Sequence, residues 1–284
     1  MERPDRHVRG QIVDGDPPTL PGDAADPPVE IRREGAVAWV GLRGSGGRGT
    51  LDLTTKIALR EGLRRIADDA AVRAVVLTGN GSVFCVGQDL REHADALADD
   101  ATHAWDTIRD HFNPIAASLA TMPKPVIAAV NGTAAGAGVS FALACDLRLA
   151  APDAVFHLAF PGIGLSVDSG LSWFLPRLVG YGRALELLLR ARPITAAEAL
   201  AAGMIHEVVD DVHAAAARIA EELAAGPTVA YGAIKQAFAY SATHTLADAL
   251  DNEATLQTVA GITEDHAAAV RAFLEKRRPA FHGH

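Results

Sequence analysis

The chain predicts an α/β fold assembled from strand–strand–helix units and finished by helices, with a sheet that is not all-parallel. Three observations carry this prediction. Two apolar runs of strand character, Ala74–Thr78 and Pro125–Val130, each lead into a glycine-rich turn. The second turn opens a short apolar helix at 137–144, and two short strands follow it. From Ser169 onward the pattern is helical almost to the end.

Taken in order, residues 1–28 hold six of the fifteen prolines with several acids, and read as a disordered leader. Stretches 29–33 and 37–42 alternate as a hairpin pair, with Glu34-Gly35 at the turn. The run 41–49 is rich in glycine and reads as a loop. Residues 53–67 have helical spacing, with Ile57, Leu59, Leu63 and Ile66 on the apolar face. A buried strand follows at 72–78. The polar, alanine-rich stretch 89–100 reads as mobile, and 104–119 as a helix ended by Thr121-Met-Pro-Lys-Pro125. Strands are expected at 126–130, 147–151 and 154–158, with the buried helix 137–144 among them. The division expected is a leader at 1–28, a core at 29–223 and a helical region at 224–284.

Composition narrows the function. With 284 residues, 49% of them apolar, the chain can bury a full-sized core. A net charge of −9 without a dense basic run argues against a nucleic-acid surface. The two cysteines, Cys85 and Cys145, lie in apolar runs and read as reduced core thiols. No apolar run reaches the roughly 18 residues that span a bilayer, and Met1-Glu-Arg-Pro-Asp-Arg-His lacks the apolar stretch of a signal peptide. A cytoplasmic protein without a membrane or nucleic-acid partner is expected. The eleven histidines show no metal-ligand spacing, so no metal is expected.

The glycine turns, Phe84-Cys-Val-Gly-Gln-Asp-Leu90 and Asn131-Gly-Thr-Ala-Ala-Gly-Ala-Gly-Val139, point to chemistry. Such turns free backbone N–H groups from any ladder, and the second starts a helix whose first N–H groups lack internal partners. Two such donors on one oxygen polarise a carbonyl and stabilise the enolate formed from it. That chemistry suits an acyl thioester.

These motifs resemble the crotonase (enoyl-CoA hydratase/isomerase) superfamily. The resemblance runs from about Val29 to the C-terminus. It also rests on Ala144-Cys-Asp146, Phe156…Gly162-Ile-Gly164, Ile194-Thr-Ala-Ala-Glu-Ala…Gly203-Met-Ile-His-Glu-Val208 and the tail Ala272–Phe281. It implies a spiral of ββα turns and C-terminal helices that build a homotrimer or hexamer. It also implies an acyl-CoA thioester substrate, with coenzyme A part of the substrate and no separate cofactor. The donors would be the N–H groups of Gln88 and Ala137, with Gly87, Gly136 and Gly138 allowing close approach. For the phosphates and adenine, Arg48, Arg91 and Lys276 match basic positions of the family, Lys276 reaching a neighbouring subunit's CoA.

Family hydratases use two glutamates, and those positions here are Ser140 and Phe160. Neither replaces a general base, which speaks against ordinary hydration. Ser140 can bond its own helix or orient a water. Phe160 makes the acyl pocket drier, and Trp173, on the helix beyond, is a second candidate for its wall. Asp168 stands where several branches carry an aspartate as proton shuttle or nucleophile, and the glycine motif looks most like phenylacetyl-pathway isomerases. The rival reading is that Asp168 N-caps the helix that follows. A double-bond isomerase with Asp168 as proton shuttle is therefore expected, the alternatives being a hydratase or thioester hydrolase, or a non-catalytic acyl-CoA binding protein.

Overall fold

The structure, a computed structural model, describes residues 27–284. The expected leader lies outside the described residues as far as residue 26. Pro28 is tied down, its carbonyl accepting the N–H groups of Arg43 and Gly44 at 3.0 and 2.9 Å.

Strands β1 (Val29–Glu34) and β2 (Val37–Leu42) pair antiparallel. Glu34 is the last rung, opposite Val37, so the turn is Gly35-Ala36 and not Glu34-Gly35. After β3 (Thr50–Leu51), helix α1 (Leu53–Asp68) is capped by the Asp52 carboxylate on Thr55 N–H at 2.8 Å. Its buried stripe is Lys56, Leu59, Leu63 and Ile66, whereas Ile57, expected on that face, is 40% exposed. A step of one residue turns a helical side chain by about 100°, so Lys56 takes the inward place.

Then come β4 (Ala74–Gly79), β5 (Val83–Cys85) and β6 (Gly87–Gln88). The stretch expected to be mobile is helix α2 (Leu90–Asp100), because Asp89 accepts the N–H groups of Arg91 and Glu92 at its start. The single helix expected over 104–119 is broken. A 3₁₀ turn at His103–Trp105 and a π turn at Ile108–Phe112 precede α3 (Asn113–Thr121). Pro114 is the cause: it has no N–H for the carbonyl of Asp110, and that carbonyl accepts from Arg60 instead, at 2.7 Å.

The core continues with β7 (Val126–Val130), β8 (Thr133–Ala135), α4 (Ala137–Ala144), β9 (Leu147–Ala150) and β10 (Val155–His157). Helices α5 (Leu171–Val179) and α6 (Tyr181–Arg190) lead to β11 (Ile194–Thr195), α7 (Ala196–Ala201) and β12 (Glu207–Val208). Four helices follow: α8 (Val212–Ala224), α9 (Thr228–Ser241), α10 (Leu246–Gly261) and α11 (Glu264–Leu274).

Strands β4, β7 and β9 enter a six-stranded sheet, ordered β1-β2-β4-β7-β9-β12. The strand after each, β5, β8 and β10, lies in or along a second sheet, ordered β11-β10-β8-β5. Each ββα turn thus advances both sheets by one strand, the spiral implied by the resemblance. The sheets are mixed: β1·β2 and β10·β11 run antiparallel and the rest parallel. Alternation within the strands builds two cores. Val40, Val75, Leu77 and Ala128 face the main core, while Trp39, Ala74, Val76 and Ile127 pack on α8. Helix α4 is buried at all eight positions, packed against β5, β8, α3 and α5. Asp146, just beyond α4, accepts from Val126 N–H (2.8 Å) and Lys235 Nζ (2.7 Å), which fastens α9 to the core.

Candidate active site

The two glycine turns meet face to face. Gly87 has φ +80°, and a methyl group placed on it would lie 3.0 Å from the carbonyl oxygen of Ala135 and 3.4 Å from the nitrogen of Ala137. A methyl on Gly138 would collide with the carbonyl of Cys85. Gly136, at φ 51° and ψ −121°, precedes α4; its N–H donates to the His157 carbonyl at 3.0 Å. Its own carbonyl accepts from Val139 and Ser140. Ala137 is then the first residue of α4, where a helix leaves N–H groups without internal partners.

Beside this junction lies a cavity of about 400 Å³. Gln88, Gly136, Ala137 and Asp168 line it, with Trp105, Ile108, Phe112, Phe160, Ile163 and Leu165 as apolar wall. Arg48, Asp89, Arg91 and His93 also line it. Two carboxylates are therefore present, and that of Asp89 is committed to capping α2. Asp168 is different. Burial pushes its carboxyl above the ordinary range, and a 2.7 Å hydrogen bond from the Ser169 hydroxyl opposes that shift in part. Ser169 is itself buried and holds φ +52°, an uncommon conformation for a residue with a Cβ. The Asp168 carboxylate caps no helix: α5 starts at Leu171 behind Gly170, and toward it the Asp168 main-chain carbonyl, not the carboxylate, accepts from Leu171 N–H.

Comparison with known proteins agrees with this geometry. The family model for enoyl-CoA hydratase/isomerase matches residues 32–284. The chain belongs to that family. It is 42% identical to a 1,2-epoxyphenylacetyl-CoA isomerase of Escherichia coli (strain K12) over 79% of this chain and 87% of that protein. It is 42% identical to a probable enoyl-CoA hydratase of Rhodobacter capsulatus, over 82% and 89%. A putative enoyl-CoA hydratase/isomerase of Mycobacterium abscessus, also 42% identical, superposes with a TM-score of 0.84 over 90% of this chain and all of that one.

Within this family frame, seven expected site residues line the one cavity: Gln88, Ala137, Asp168, Arg48, Arg91, Phe160 and Gly136. Four do not. Ser140, expected among the catalytic residues, is fully buried, and its hydroxyl reaches the carbonyl of Asp168 at 3.4 Å. It holds the aspartate loop and does not face the cavity. Gly138 packs on Cys85 behind the wall. Trp173, expected in the acyl wall, stands outside, because Leu171 and Leu175 take the inward face of α5. Its ring lies 3.3 Å under the Arg177 guanidinium. Lys276 is exposed just after α11 and does not line the cavity of its own chain.

The sequence reading missed His93 and Trp105. They meet edge to face at 5.0 Å between ring centres on the cavity wall, His93 from the stretch read as mobile and Trp105 from the start of the helix expected over 104–119. His103 and His111, on the same segment, bond to Asp100 (2.7 Å) and Arg60 (3.3 Å) and do not line the cavity. At the two positions where the resemblance implies glutamates in hydratases, Ser140 is buried and Phe160 lines the cavity. Among the described residues no cluster suits a metal ion, and no helix is long and apolar enough to cross a membrane.

Proposed function

We propose that this protein is a double-bond isomerase of acyl-CoA thioesters that works through an enolate. The observation that carries the reading is Asp168, a desolvated carboxylate that caps no helix, in the same cavity as Gln88 and Ala137. Its carboxylate takes a proton from the carbon beside the thioester carbonyl of a 3-enoyl ester. The electron pair moves onto the carbonyl oxygen, held by the N–H groups of Gln88 and Ala137. The carboxylic acid then returns a proton to the far end of the dienolate, leaving a 2-enoyl ester. A base must start ionised, and a pKa moved toward neutrality brings it closer to the operating range.

The apolar wall of Trp105, Phe112 and Phe160 supports a hydrophobic acyl group, aliphatic or aromatic. The relative named for 1,2-epoxyphenylacetyl-CoA supports an isomerase. Arg48 and Arg91, on the cavity lining, are proposed to meet the CoA phosphates. A homo-oligomer is part of the same reading. It is supported by Phe238, Ile262 and Phe273 on α9–α11, which expose 77–82% of their surface in the single chain.

The test is incubation with saturated, 2-enoyl, 3-enoyl and phenylacetyl-type CoA esters in D₂O, followed by product mass and double-bond position. Deuterium uptake with a shifted double bond and no added water is expected. Addition of water would overturn the reading in favour of a hydratase, and tight binding without change would leave an acyl-CoA binding protein.

Ser169→Ala provides a second check. The hydroxyl lowers the Asp168 pKa, so its removal raises that pKa further. Activity requiring the carboxylate rises with pH through that pKa. The acidic limb of the kcat/KM profile should therefore move to higher pH in the variant. An unmoved limb would show that another group titrates there.

A further inference from the structure

Lys56 is 1% exposed, a fully buried lysine on the core face of α1. Its ammonium has three side-chain partners: Glu92 Oε1 at 2.9 Å, Thr107 Oγ1 at 3.0 Å and Gln88 Oε1 at 3.2 Å. It also lies 5.5 Å over the ring of Phe112. Glu92 completes the set, its second oxygen accepting Leu53 N–H at 2.6 Å and its first accepting from Gln88 Nε2 at 3.3 Å. A desolvated ammonium is costly unless its donors are all satisfied, and here they are.

The partners of this ammonium are not scattered. Gln88, Thr107 and Phe112 are cavity-wall residues from β6 and the segment before α3, and Glu92 is the first-turn acid of α2. One buried charge therefore joins the strand that carries an oxyanion donor to both segments that close over the acyl group. The first glycine turn is anchored on one side by the pairing of β6 with β3 and on the other by this side chain. We infer that Lys56 is a positioning residue of the oxyanion site, acting through the Gln88 side chain to aim the Gln88 N–H. This rests on the reading of the cavity as a thioester site.

The experiment compares wild type with Lys56→Met, Lys56→Arg, Gln88→Ala and the Lys56→Met/Gln88→Ala double variant. The probe is a saturated acyl-CoA carrying a ¹³C thioester carbonyl. Its stretching frequency when bound reports polarisation by the two donors, and its affinity is read in the same titration. In wild type the band should shift to lower frequency on binding. In Lys56→Met and Gln88→Ala most of that shift should vanish while affinity changes less than about threefold. Exchange into D₂O should fall on the order of tenfold to a hundredfold, the cost of a donor displaced by a fraction of an ångström to about 1 Å. The double variant should be no worse than either single one, since both break one link. Lys56→Arg should recover part of the shift.

A folded Lys56→Met with the wild-type band would overturn the inference and leave the thioester reading intact. Losses that multiply in the double variant would also overturn it. Should Lys56→Met fail to fold, Gln88→Ala decides alone: a wild-type band there means the side-chain link does not aim the donor. A wild-type protein that binds the probe without any band shift would sink the thioester reading and this inference with it.

Discussion

Asp168→Asn should remove double-bond migration, by roughly 10²–10⁴-fold in kcat, and at the same time make the protein more stable at neutral pH. The two effects have one origin. Burial raises the Asp168 carboxyl above its ordinary value, so the folded protein keeps this proton to higher pH than the unfolded chain does. A group with a raised folded pKa contributes its stability in full below its unfolded pKa. That contribution is lost as pH rises through the folded pKa. At neutral pH the ionised side chain is therefore a net cost of folding. An amide carries no such cost, and its oxygen can still accept from Ser169, which now donates at 2.7 Å to Oδ1. The gain in Tm should be present at pH 7 and should shrink as pH falls through the folded pKa, vanishing only below the unfolded value of about 3.9, where the wild-type carboxyl becomes protonated in both states. Thermal unfolding across that range, beside D₂O exchange, checks both halves. A variant that keeps wild-type exchange would rule Asp168 out as the shuttle. A variant that is less stable at pH 7 would show that the carboxylate has a stabilising partner.

The glycine turns were legible in the sequence because their constraint is local. A residue that must hold φ +80° against another backbone leaves glycine as its mark, and strand runs before each turn placed them in the fold. The role of Asp168 was only half legible. An aspartate shortly before a helical run is also a good cap, and nothing in the sequence said that α5 would begin three residues later, behind Gly170 in the left-handed region. Trp173 misled for a related reason. Periodicity gave the helix but not which side of it faced the cavity, and Leu171 and Leu175 decided that.

His93, Trp105 and Lys56 were not legible. Twelve positions separate His93 from Trp105, and their edge-to-face contact depends on α2 folding back through the 3₁₀ turn. Lys56 reads as a surface charge in any helical wheel that counts Ile57 as core. Its burial follows from partners 32, 36 and 51 positions away, which only the folded chain brings to it.

Gly87→Ala should cost far more activity than stability. The residue holds φ +80°, and placing an alanine in the left-handed region costs about 1–2 kcal/mol. The new methyl would stand 3.0 Å from the Ala135 carbonyl and 3.4 Å from the Ala137 nitrogen, so the two turns must move apart by a few tenths of an ångström. That motion separates Gln88 from Ala137, the two N–H groups proposed to share one oxygen. Losing an oxyanion donor costs about 10²–10³ in kcat, and a partial displacement should cost roughly tenfold to a hundredfold. Gly35→Ala is the matching control. Gly35 also has positive φ, at +60°, but nothing lies within 4 Å of the added methyl, and its hairpin does not line the cavity. Both variants should lose similar stability in urea, while exchange into D₂O should fall in Gly87→Ala alone. Equal activity in the two would mean that the junction of the turns is only a packing contact. The proposed oxyanion hole would then have to be sought elsewhere on the cavity wall.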